Sequence, residues 1–121
     1  MKCLIVHTHQ QNTNHLTAVI AAAQEMSNDV DCILIGGDLK DIKHSGISTL
    51  WHYTKAHNLS AKDIAIIIEK HMDDYTHILC HSDTTGKDYL PYFCGRNHMP
   101  MISDIHSIID SKTFTRATYA G

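Results

Sequence analysis

The chain has no apolar run approaching the roughly 20 residues that span a bilayer, so its sequence predicts no membrane insertion. It has no marked excess of either charge. Ten Lys and Arg stand against thirteen Asp and Glu, a formal net charge of −3 that offers no basic footprint for nucleic acid. No CxxC pair occurs among Cys3, Cys32, Cys80 and Cys94. Three of the four fall in strand-like runs and the fourth on an apolar helix face, which predicts reduced, buried cysteines in a reducing compartment. The signatures GxGxxG, GxxxxGK[ST] and GxSxG are missing as well, so neither a Gly-rich phosphate loop nor a nucleophile elbow is indicated. No compact acid–base pair appears; Asp73 and Asp74 sit at a helix end, where carboxylates are solvated. Catalytic residues are therefore not assigned, and the chain does not read as an enzyme. Its opening, MKCLIVHT, enters a strand at once, so no signal or transit segment and a cytoplasmic location are expected.

What is present is an alternation of strand and helix patterns. A chain of 121 residues has room for one domain, 1–121, with a single core under helical layers. Lys2 to His7 reads as a first strand covered on both faces. Asn12, Thr13 or Asn14 caps a helix whose Leu16, Val19, Ile20, Ala23 and Met26 form one stripe. VDCILIGG from Val30 is a second buried strand, completing a βαβ unit with a right-handed crossover. A short helix over Leu39 to His44 and a third strand in ISTLWHY follow. Ser60 with Asp63 predicts a capped helix from Ala61 to Met72. Ile78, Leu79 and Cys80 form a brief apolar run that suits a buried strand, and after a polar turn a helix runs on to about Asn97. A fifth strand begins near Met101 and continues to Ile109, and the tail from Thr113 alternates like an edge strand. The whole predicts a three-layer α/β/α, doubly wound, mainly parallel sheet of Rossmann-like type, similar to adenine nucleotide alpha hydrolase-like domains.

The central stretch is YTHILCHSDTTGKDYLP, from Tyr75 to Pro91. A strand feeding a polar turn and then a helix gathers unpaired N–H groups where the helix dipole attracts anions. Ser82, Thr84, Thr85, Gly86 and Lys87 are the candidate cofactor-binding residues of such an anion cradle, with Gly86 freeing the backbone and Lys87 adding charge. Against occupancy stand Asp83, a like charge in the same turn, and the single glycine. A vestigial cradle is the expectation.

Eleven histidines raise the question of a metal. His7, His9 and His15 are the densest group, yet no nearby cysteine or carboxylate completes a ligand set, and the others are scattered. No metal site is assigned. A thiol nucleophile at Cys80 beside His81 is disfavoured because adjacent strand residues face opposite sides.

YTHIL, TGKDYLP, ISDI and TFTRATYAG resemble, in order and spacing, the amino-terminal domain of the electron transfer flavoprotein alpha subunit. There a strand and polar turn lead into GK(D/N)xxPR, then ISDV, then TFxRPxYAGN. Tyr92 replaces the family's arginine and Ala117 its proline. The resemblance implies a scaffold and subunit-interaction domain, part of a carrier that moves electrons from flavin dehydrogenases to a downstream acceptor. It implies a beta-subunit partner that holds AMP, and FAD bound by a carboxyl-terminal domain outside this chain. The alternative is a free-standing adenine-nucleotide-binding domain resembling universal stress proteins. Continuation of the reading frame past Gly121 would discriminate the two.

Overall fold

The computed structural model describes residues 1–39, 46–54, 59–110 and 112–116. Four strands, β1 (Cys3–Thr8), β2 (Val30–Ile35), β3 (Leu50–Tyr53) and β4 (His77–Leu79), form an all-parallel sheet in the order β3-β2-β1-β4. The register aligns Cys3 of β1 with Val30 on one side and His77 on the other.

Strand parity decides the layers, because successive side chains point to opposite faces. Cys3 and Ile5 of β1, with Val30 and Cys32 of β2, pack against helix α1 (Thr13–Met26) through its stripe of Leu16, Val19, Ile20 and Ala23. Leu4, Val6, Ile33 and Ile35 face the other way. They meet Ile64, Ala65 and Ile68 of helix α2 (Ala61–Glu69) and Tyr89, Phe93 and Cys94 of helix α3 (Thr84–Arg96). Each fully buried Leu, Ile or Phe in these clusters contributes about 1.5–3 kcal/mol by leaving water. The doubly wound α/β/α expectation is thereby met.

The helix starts follow local chemistry. Asn12 caps α1, its side chain accepting from the Asn14 N–H at 2.9 Å. Ser60 and Asp63 form a reciprocal capping box at α2, as their spacing predicts. That helix stops at Glu69 rather than Met72, because the Lys70 N–H bonds back to Ile67 and Ile68 carbonyls and a 3-10 turn takes over at Met72–Asp74. Ile78 and Cys80, expected in the interior, are only half-buried, because β4 lies at the sheet edge.

The carboxyl-terminal strands differ from expectation. The fifth strand, β5 (Ile105–Asp110), begins after Asp104, whose φ of 53° interrupts extended backbone. Met101 and Ile102 lie exposed before it. Instead of extending the parallel sheet, β5 pairs antiparallel with β6 (Thr113–Arg116) in a separate two-stranded sheet. The expected helix over Leu39 to His44 falls, beyond Leu39, outside the described residues, as does the tail after Arg116.

At the amino end of the sheet a buried carboxylate ties three segments together. Asp31 of β2 is 2% exposed. It accepts from the Tyr75 hydroxyl at 2.6 Å and from the Thr49 N–H at 3.0 Å, with the Lys2 ammonium 3.4 Å away.

Candidate functional site

At the opposite, carboxyl edge, β1, the first turn of α1 and the β4–α3 turn converge on Asp83. Asp83 is the N-cap of α3 and its Oδ1 accepts from the Gly86 N–H at 2.8 Å, the cap bond that an oxygen-bearing residue at this position makes with the third helical N–H. The same oxygen accepts from the Gln11 side-chain amide at 2.9 Å. The other oxygen, Oδ2, faces His15 Nδ1 at 3.2 Å and His81 Nδ1 at 3.5 Å. The two imidazoles stack face to face, ring centres 3.8 Å apart and 8° from parallel.

Gln11 extends this network inward. Its Oε1 accepts from the Thr8 N–H and from the hydroxyl of fully buried Tyr89, both at 3.1 Å. Tyr89 also points its hydroxyl at the Val6 carbonyl, 3.2 Å away. One glutamine thus links the end of β1, the interior of α3 and the cap carboxylate. Among the described residues, Thr8 Oγ1 and His81 Nδ1 are buried here without a hydrogen bond, His81 Nδ1 lying 3.5 Å from the Asp83 carboxylate.

The electrostatics follow from burial and neighbours. Burial lowers the pKa of His7, at the inner edge of the cluster, to about 4, against the pull of Asp83 and with a further push from His15 and His81. Burial opposes the Asp83 carboxylate, but the Gly86 N–H, the Gln11 amide and the His15 ring outweigh it and hold Asp83 below the usual carboxylate range. Cys80, on the α3 side of β4, has its thiol pushed up to about 12 by burial. Such a thiol is a poor nucleophile at neutral pH.

The sequence-derived cradle can now be located. Ser82 and Thr84 are exposed, Thr85 is half-buried and Gly86 is buried. The Asp83 carboxylate already sits on the N–H that an anion would use. Lys87 turns away to Asp104, 3.3 Å from its carboxylate. Thr84, Thr85 and Lys87 line a shallow, open depression with Gln10 and Asp88. Gly86 does not occupy a left-handed turn; it lies inside α3, where a Cβ would strike the His81 carbonyl oxygen. Its smallness serves packing of helix against strand, not approach of a ligand.

Sequence reasoning did not find the convergence of His15, His81 and Asp83. The nearest signal was His15 in the HTHQQNTNH stretch, with the missing carboxylate supplied from a segment 68 positions on. One donor atom from each of the three lies within 4.8 Å of the others, while exposed His9 stands apart from the set. No helix among the described residues is long and apolar enough to cross a membrane.

Comparison with known proteins gives one consistent result. A family model described as "Electron transfer flavoprotein domain" matches residues 4–121. The electron transfer flavoprotein subunit alpha of Pseudomonas aeruginosa is 27% identical over 110 residues, covering 84% of this chain and 35% of that protein. The subunit of the same name from Paracoccus denitrificans is 28% identical over 113 residues, covering 87% of this chain and 36% of its own length. The chain spans about a third of these curated relatives.

Proposed function

The chain belongs to the electron transfer flavoprotein domain family, and from that premise we propose that it is the amino-terminal scaffold domain of an alpha-type subunit. In this reading it packs against a beta subunit and contributes to a carrier passing electrons from flavin dehydrogenases to a downstream acceptor. It is not itself an enzyme. The observation that carries the proposal is the family match over nearly the whole described fold, joined to subunit-alpha relatives. A shared α/β fold alone would not carry it, since folds of this kind host many functions.

The turn geometry supports a scaffold over the nucleotide-binding alternative. The Asp83 carboxylate stands at the α3 N-terminus, and Lys87 is engaged elsewhere. A phosphate of FAD or AMP does not fit beside that carboxylate, because like charges at this distance repel. We therefore assign the flavin contacts to the part of the relatives that this chain does not span, and AMP to the beta partner. Ser82, Thr84, Thr85, Gly86 and Lys87 form a vestigial cradle. Exposed Met99, Met101 and Ile102 on the connection from α3 to β5, with Ile105 at the start of β5, supply apolar surface of the kind subunit contacts use.

The test is to mix the purified chain with an electron transfer flavoprotein beta subunit and follow the elution volume, with and without FAD and AMP. A stable complex is expected, with no flavin absorbance on the isolated chain and no thermal stabilisation by AMP. AMP stabilisation of the isolated chain, about 2.7 kcal/mol at a hundredfold excess over Kd, together with absent beta binding, would replace this reading by the free-standing nucleotide-binding domain.

A further inference from the structure

We propose that His15, His81 and Asp83 form a pH-operated latch, which fastens the first turn of α1 to the β4–α3 turn and releases it when both imidazoles are protonated. The two rings stack with centres 3.8 Å apart and 8° from parallel. One carboxylate oxygen serves both. Asp83 Oδ1 is taken by the Gly86 N–H at 2.8 Å and the Gln11 amide at 2.9 Å. That leaves Oδ2, which accepts from His15 Nδ1 at 3.2 Å and lies 3.5 Å from His81 Nδ1. His81 Nδ1 is buried without a hydrogen bond, so stacking and charge hold this ring rather than a bond of its own.

Charge sets the trigger. With one proton on the pair, an imidazolium lies against a neutral imidazole and the Asp83 carboxylate balances it. A second proton places two like charges face to face at 3.8 Å beside a single counter-charge, and like charges that close repel strongly. The positive ends of two helix dipoles add to the repulsion. His15 lies in the first turn of α1, His81 precedes the N-cap of α3, and neither first turn carries an acidic residue. His7 of β1, Cys80 beside β4 and Tyr89 of α3 also act on the cluster. Burial keeps all three uncharged near neutral pH, lowering His7 to about 4, pushing Cys80 up to about 12 and Tyr89 well up. Lys87 of α3 and Asp104 before β5 cancel each other in an ion pair. The side chains of His15 and His81 are 37% and 31% exposed, so protons reach both rings. The latch needs neither flavin nor a beta subunit, so it stands or falls independently of the proposed function.

Amide hydrogen exchange of the purified chain between about pH 8 and 5, the range in which histidines titrate, tests it, with side-chain nitrogen NMR following each ring. An open form that binds one proton more than the closed form gains about tenfold in population per unit fall in pH. Exchange of the His15, Gly86 and Lys87 amides, all hydrogen-bonded in the closed form, should therefore accelerate by that factor as the second ring protonates. This is read after correction for the intrinsic pH dependence of exchange, and the amides of β1 and β2 should stay protected. His81→Phe keeps a flat ring for the stack but takes no proton, and it should remove the acid-driven opening. Asp83→Asn keeps a good helix N-cap without the counter-charge, so the latch should open at the first proton, at higher pH. His9→Ala and His98→Ala should leave the profile unchanged. If a variant fails to fold, the unmodified chain still decides, through the coincidence of second protonation and faster exchange. Flat exchange as both rings protonate, a second ring that stays neutral throughout the range, or acid-driven opening that persists in His81→Phe would overturn the proposal.

Discussion

Gly86 and His81 touch backbone to backbone: a methyl group on the Gly86 Cα would penetrate the His81 carbonyl oxygen and crowd Cys80 Sγ at 3.1 Å. Helix α3 therefore rests directly on the end of β4, and the turn between them has one permitted spacing. This contact brings the Asp83 cap within reach of His15 and Gln11.

Gly86→Ala should accordingly cost stability despite alanine's better helix propensity. The propensity gain is about 1 kcal/mol, whereas overpacking against backbone costs typically 1–3 kcal/mol and occasionally more. We expect a net loss of about 1 kcal/mol in urea denaturation. An unchanged or raised midpoint would show that α3 can slide away from β4 without penalty.

Asp31→Ala should be among the most destabilising single substitutions of the sheet. It strands the Thr49 N–H and the Tyr75 hydroxyl, both bonded to a carboxylate that is 2% exposed. Losing hydrogen bonds to a buried charged acceptor costs about 3 kcal/mol. The two donors bond to different oxygens, so Asp31→Asn keeps its amide oxygen for the Thr49 N–H and turns an amide N–H on the Tyr75 hydroxyl, which can accept it, and should lose less than Asp31→Ala. Equal losses for the two variants, measured by chemical denaturation, would assign the effect to volume rather than hydrogen bonding.

Alkaline stability should depend on Tyr75. Burial first, then its hydrogen bond to Asp31, pushes the Tyr75 hydroxyl up to about 12. An acid whose folded pKa lies above its unfolded value stabilises the fold in its protonated form. That stabilisation is fully present below the unfolded value of about 10 and is lost as pH rises through about 12. Tyr75→Phe should flatten the fall in melting temperature across this window, and tyrosinate absorbance should lose one late-titrating component, distinct from that of fully buried Tyr89, whose hydroxyl burial pushes well up. A Tyr75→Phe chain whose stability falls with the same slope would locate the alkaline sensitivity elsewhere, the Cys32 thiol being one candidate, since burial also pushes it up to about 12.

Much of the architecture was legible in the residues because it rests on local chemistry. The period of Leu16, Val19, Ile20 and Ala23 reports one helix face, the Ser60–Asp63 spacing reports a capping box, and strand parity alone sends Cys3 and Ile5 to one layer and Leu4 and Val6 to the other. The motifs from YTHIL to TFTRATYAG carried the family by their order and spacing. Boundaries were harder. Asp104 adopts a left-handed conformation that no hydrophobic pattern announces, so β5 starts later than Met101 suggests, and its antiparallel pairing with β6 is a choice between partners of similar local character.

The carboxyl-edge cluster belongs wholly to the tertiary structure. His15 follows β1 and Asp83 follows β4, and those strands are neighbours only because the sheet order runs β3-β2-β1-β4. Periodicity tells which way a side chain faces within its own element; it carries no information about which distant strand end will lie beside it. By itself the sequence determined the layers, the caps and the family of this protein. The folded sheet decided that a histidine of α1 meets a histidine and a carboxylate 66 and 68 positions later, because parallel crossovers bring the same ends of β1 and β4 to one edge.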